Sequence, residues 1–363
     1  MRWREILIMK SKTCIYCQHN PGQGKEHCLP MGFGSFRGHH ILPKLICREC
    51  NEPISKAEEQ FLRVGPEGLL RLLLGITGRK DHKKISPFLR GSSGAPPIEI
   101  KLPFPKTKTD VLWEILPGTK SLYAIYQIGM SNKDGKVIQI PIPKSVTSKK
   151  DLLGLLKKHG QEKSKPVYFF VDPEDKDNFI SILRQIWPDL SITKVENMHP
   201  PENGAGFYAP IKVTVTSLYH RAIAKIGFHY FLAVSQHRFT GTEPAFEPIR
   251  SFIRDGKGRP ENFVVQNDSP ILYDLNRGQT LSSWGHLLTA RIGMREIISR
   301  VQFFIGPEYL PPIFDIKLGK NPSKIYYPES FGHFYSYFSE EHKSGYYGEV
   351  SPLKIISKAL LPR

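Results

Sequence analysis

Apolar positions recur with helical spacing in several stretches of the chain. Residues 55–63 read as a helix opened by a Ser55 cap, with Glu58 three positions on, and residues 67–74 as a second short, leucine-rich helix. Further helices are expected over 148–159, 175–187 and 213–232; in the last, Leu218, Ala222, Ile226 and residues 228–230 supply a packed face. Residues 279–300 also read as helical, ahead of a strand over 301–305 and a tail rich in Tyr and Phe. Extended patterns occupy 121–130 and 136–142, with Lys133, Asp134 and Gly135 between them as a hairpin signal, and 166–171 reads as a buried strand. The Gly/Ser/Pro stretch 91–97 is the clearest break. An α+β protein follows, with an N-terminal module over 1–90, a region over 98–200 and a mixed α/β region over 201–363.

At 363 residues the chain has room for two or three domains. Composition is that of a folded protein, 40% hydrophobic and 11% aromatic. No run of about 18 apolar residues predicts a membrane span, and the opening ten residues lack a small-residue cleavage site, so a cytoplasmic location is expected. Charge changes the picture more. Fifty-one Lys and Arg stand against 34 Asp and Glu, a balance of +17, and +8 of it falls in residues 1–95. A solvated basic surface would account for this, but spread cationic side chains also suit a polyanion whose counterions they displace, so nucleic acid is the expected partner.

Four of the five cysteines form two pairs, Cys14/Cys17 and Cys47/Cys50, with 29 residues between them. Two such tight turns bring four thiolates to one tetrahedral zinc. A disulfide set fits less well, since nothing suggests export and the fifth cysteine leaves the number odd. Cys28 is then a small buried residue, because the fourfold site is already full.

Between the pairs lie Glu26-His27 and Pro30, then a glycine turn at Gly32–Gly34 and His39-His40; Asn51 follows the second pair directly. This order resembles the HNH endonuclease superfamily, in particular its branch with two CxxC pairs, an EH-x-x-P motif and CxxCN ahead of a helix. The resemblance covers about residues 12–90, and residues 217–226 look like a segment of longer members of that branch. It implies a zinc-stapled, treble-clef-like ββα-metal module. There the zinc only holds the scaffold, His27 is the general base, and Glu26 and Asn51 ligate a catalytic Mg²⁺ or Mn²⁺. The chemistry is consistent. A neutral imidazole suits proton removal near pH 7, and hard oxygen donors suit those metals. Each residue has a plainer alternative. His27 would serve as a surface imidazole or a neighbour of the zinc, Glu26 as a salt-bridge partner of Lys25 or Arg37, and Asn51 as a helix cap. The superfamily's middle Asn has no counterpart, and His40 stands in that region. Glu59 is a further candidate ligand or a solvated residue, and Arg37, Lys44 and Arg48 are candidates for gripping phosphates. The implied activity is cleavage of nucleic acid, double-stranded DNA before RNA; the alternative is a zinc module that binds nucleic acid or positions a partner without cutting.

Overall fold

The computed structural model describes residues 13–76, 86–103, 110–118, 121–132, 134–192, 210–235, 238–267, 284–306, 311–323, 328–337 and 348–353. Its first elements are strands β1 (Gln23–His27), β2 (Phe36–Arg37) and β3 (Ile41–Ile46), then helices α1 (Arg48–Arg63) and α2 (Pro66–Leu73). Next come β4 (Glu99–Pro103), β5 (Asp110–Ile115), β6 (Leu122–Ala124), β7 (Gln127–Ser131) and β8 (Val137–Pro141). They are followed by α3 (Lys149–Lys158), β9 (Pro166–Phe170), α4 (Lys176–Ile186), β10 (Ile211–Lys212), α5 (Ser217–Val234) and α6 (Glu247–Asp255). The rest is strand: β11 (Val264–Asn267), β12 (Gly285–Ile292), β13 (Glu296–Ile305), β14 (Ile313–Lys320), β15 (Glu329–Tyr337) and β16 (Gly348–Pro352).

The sheets sort this order into a mixed α+β protein with three apolar cores. A seven-stranded sheet runs β11-β14-β13-β12-β15-β16-β2, antiparallel except where β2 joins β16 in parallel, Phe36 opposite Gly348. Helix α5 is buried along most of its length between this sheet and α1. Gly227 permits the close approach: a Cβ there would lie 2.9 Å from Ile316 Cδ1, and its carbonyl accepts from Ser299 Oγ at 2.9 Å. The first core therefore joins Phe33, Ile54 and Phe61 of the N-terminal module to Ile223, Phe231, Val301 and Ile316 from beyond residue 217. A second core lies over β10-β4-β5-β6, and a third packs β8-β7-β9 under α3 and α4. Gln127 ties those two together: its side chain exchanges hydrogen bonds with Leu112 at 3.0 and 2.9 Å.

Several boundaries follow local chemistry. Ser148 caps α3 by accepting from the Asp151 amide, and Thr216 caps α5 by accepting from the Leu218 amide. Others differ from expectation. Helix α1 starts seven residues before Ser55 because Cys47, not the serine, caps it, and Pro53 lies inside it. Strand β9 is an edge strand, with Val167 56% exposed, rather than a buried one. The expected helix over 279–300 is corrected: 285–292 and 296–305 form an antiparallel hairpin with Ala290 opposite Ser299, while 279–283 lie outside the described residues. Both faces of β12 are covered, so its apolar residues run together instead of alternating, and Leu, Ala and Arg there imitate a helix. The stretch 91–97 falls inside the second core, which joins Val64 and Phe88 to Ile98 and Val111, while the first core joins the N-terminal module to residues beyond 217. Among the described residues no helix is long and apolar enough to cross a membrane.

Candidate metal centre

The first cysteine pair sits on a tight turn. Cys14 donates its amide to Asn20 at 2.7 Å, Gln18 adopts a left-handed conformation at φ 58°, and the Asn20 amide points at Cys17 Sγ from 3.5 Å. Ile15 then donates to the Leu45 carbonyl at 3.1 Å, which lays this turn against the end of β3. The crossing is close, because a Cβ on Gly22 would meet the Lys44 carbonyl oxygen at 1.9 Å. The second pair is the first turn of α1, where Cys47 Sγ accepts from the Cys50 amide at 3.5 Å.

These two turns place the sulfurs of Cys14, Cys17, Cys47 and Cys50 all within 4.8 Å of one another. Cys17 and Cys47 are 3.8 Å apart, the edge of a tetrahedron about a metal with bonds of about 2.3 Å to sulfur, roughly 3.8 Å. The four residues can thus hold a zinc ion. Burial alone would raise the Cys17 thiol, but the Asn20 and His19 amides bring it down to about 7, while burial holds Cys47 and Cys50 above the usual range. Cys28 stands apart: its Sγ donates to the His229 carbonyl at 3.4 Å, and burial pushes its thiol up to about 12.

The hairpin of β1 and β3 carries the remaining candidates. Glu26 pairs with Leu42 and His27 with Ile41 at the end of β1, and both side chains are half-buried. The His27 ring lies 4.8 Å from that of His39, tilted by 54°. Burial, with His27 and His40 nearby, holds His39 down to about 3, so it is neutral at physiological pH. His40 Nδ1 meets the Tyr335 hydroxyl at 2.8 Å, with its ring 4.5 Å from His333, and burial holds it to about 4. That bond ties the loop behind the hairpin to β15.

Glu26 has a cationic partner from far along the chain. Its Oε2 lies 3.0 Å from the ammonium of Lys225 on α5, which also reaches Glu58 Oε1 at 2.6 Å and the His27 carbonyl at 3.3 Å. Burial opposes a charge there, yet the two carboxylates outweigh it and keep the lysine protonated. Asn51 lies in the first turn of α1, its amide on the Cys47 carbonyl at 3.0 Å and its side chain half-buried. Glu59 turns elsewhere, pairing with Arg63 and accepting from Ser93 Oγ at 3.2 Å. Arg37, Lys44 and Arg48 are exposed on β2, on β3 and at the start of α1.

The structure thus gathers the four cysteines into one cluster and draws Glu26 and the His27 backbone together at Lys225. From the sequence Glu58 was read only as part of a helix cap, and Lys225 was not singled out. Each had a signal: Glu58 shares a helical stripe with Ile54 and Phe61, and Lys225 is a lone lysine inside an apolar helix. No protein-family model, curated protein or solved structure matches this chain.

Proposed function

We propose that the chain is a metal-dependent endonuclease of the HNH type that hydrolyses phosphodiester bonds of nucleic acid, double-stranded DNA ahead of RNA. One observation carries the reading: a cysteine cluster fit for zinc fastens the start of α1 to a hairpin whose strand end presents His27 beside Glu26. A module that only bound nucleic acid would need the cysteines and the basic residues, but no histidine on that strand end.

In this reading the half-buried imidazole of His27 takes the proton of the attacking water, and the basic surface holds the phosphate backbone. A divalent Mg²⁺ or Mn²⁺ would be held by Asn51 and Glu26, and would neutralise charge gathering on the phosphate. Arg37, Lys44 and Arg48, all exposed, suit contacts to phosphates that carry no sequence information. The non-catalytic reading keeps one observation in its favour, namely that Glu26 already has a cation.

Plasmid incubated with the full chain and Mg²⁺ or Mn²⁺ separates the two. Cleavage is expected with metal and not with EDTA, from protein that carries about one zinc per chain. His27→Ala should keep that zinc and lose about 10²-fold in rate. No cleavage by the wild type, or equal cleavage by His27→Ala, would leave only the binding module.

A further inference from the structure

Lys225 is the one lysine among the described residues whose side chain is shut away from solvent, at 2% exposure. Its three oxygen partners come from two elements distant in sequence: Glu26 and the His27 carbonyl end β1, and Glu58 lies on α1. Holding α5 to α1 does not need it, since Ala222, Ile223 and Ile226 already bury apolar surface in the same core. An ammonium taken out of water is repaid only by well-placed oxygens, so an apolar side chain would pack there more cheaply. What the ammonium adds is direction, because it carries three hydrogens for three acceptors. The bond to the His27 carbonyl fixes the peptide from which the imidazole projects, and the bond to Glu26 fixes the carboxylate beside it.

We propose that Lys225 is a positioning residue of the nuclease site, holding the strand end that carries His27 and Glu26 from a helix 198 residues further along the chain. The inference rests on the nuclease reading above. It makes α5 the floor of the site rather than part of a separate domain.

Two variants of the full zinc-loaded chain test it. Lys225→Met removes the ammonium and keeps the stem; because it strands two half-buried carboxylates, Lys225→Met with Glu58→Gln serves as the variant more apt to fold. In folded protein with wild-type zinc content, kcat on plasmid should fall about 10²-fold while KM moves less than about threefold, the signature of a misplaced reacting group. Amide exchange over residues 23–28 should quicken about tenfold, with the rest of the sheet unchanged. A folded variant with wild-type kcat and wild-type exchange over 23–28 would overturn the proposal. Should wild type cut nothing, the nuclease reading fails by itself. Exchange over 23–28 then still decides whether Lys225 holds the strand end, and unchanged exchange discards the positioning role.

Discussion

Phe304 sits at φ 55°, a left-handed conformation that a bulky residue adopts only under constraint. Its amide donates to His286 Nδ1 at 3.2 Å, which places the ring proton on Nε2, where it meets the Tyr337 hydroxyl at 2.6 Å. Tyr337 in turn donates to the Phe33 carbonyl at 2.7 Å, in the turn that follows the hairpin strand β1. Burial lowers His286 to about 3, so the neutral ring is the native form. The sign of the linkage follows. The folded protein binds fewer protons than the unfolded chain, so stability is full above about pH 6.5 and declines as the pH falls toward the folded value. In that window His286 alone should cost about 1.4 kcal/mol per pH unit. Urea unfolding between pH 6.5 and 4.5 should therefore give His286→Gln a shallower slope than wild type by about that amount; equal slopes would exclude this histidine. At this scale legibility depended on distance along the chain. The cysteines were readable because each pair is a local turn, whereas Lys225 and Glu58 lie 167 residues apart and their meeting is a property of the fold.

At the scale of elements, α5 decides what can fold. The apolar side of α1, with Ile54, Ala57 and Phe61, packs on α5 and α6 as well as on N-terminal residues such as Phe33, and Phe61 also meets Phe303 of the seven-stranded sheet. Residues 1–95 expressed alone with zinc should accordingly remain without a fixed tertiary structure: dispersed amide resonances confined to the two cysteine turns at most, and no cleavage of plasmid. A cooperatively melting fragment would show that the cysteine cluster suffices. Helices with one polar face, such as α3, which Ser148 caps, and α4, were legible from the sequence nearly to the residue. Of the hairpin of β12 and β13 only the strand over 301–305 was read, since β12, covered on both faces, loses the period of two that marks a strand. The start of α1 was hidden for another reason: its cap is a thiol assigned to the metal site.

For the molecule as a whole, charge and connectivity set behaviour. The balance of +17 is divided almost evenly, +8 on residues 1–95 and +9 on the remainder, so binding should depend on the intact chain and on ionic strength. Filter binding of duplex DNA by His27→Ala in EDTA should show retention at about 50 mM salt and little at about 200 mM; no retention at the lower salt would remove nucleic acid as the partner. The parallel pairing of β2 with β16 has a consequence in time. On a ribosome adding roughly 5–20 residues per second, α1 is complete for some 15–60 s before β16 has been made. Until β16 is made, β2 lacks its parallel partner, so on the nuclease reading full activity is expected only after translation has passed residue 352.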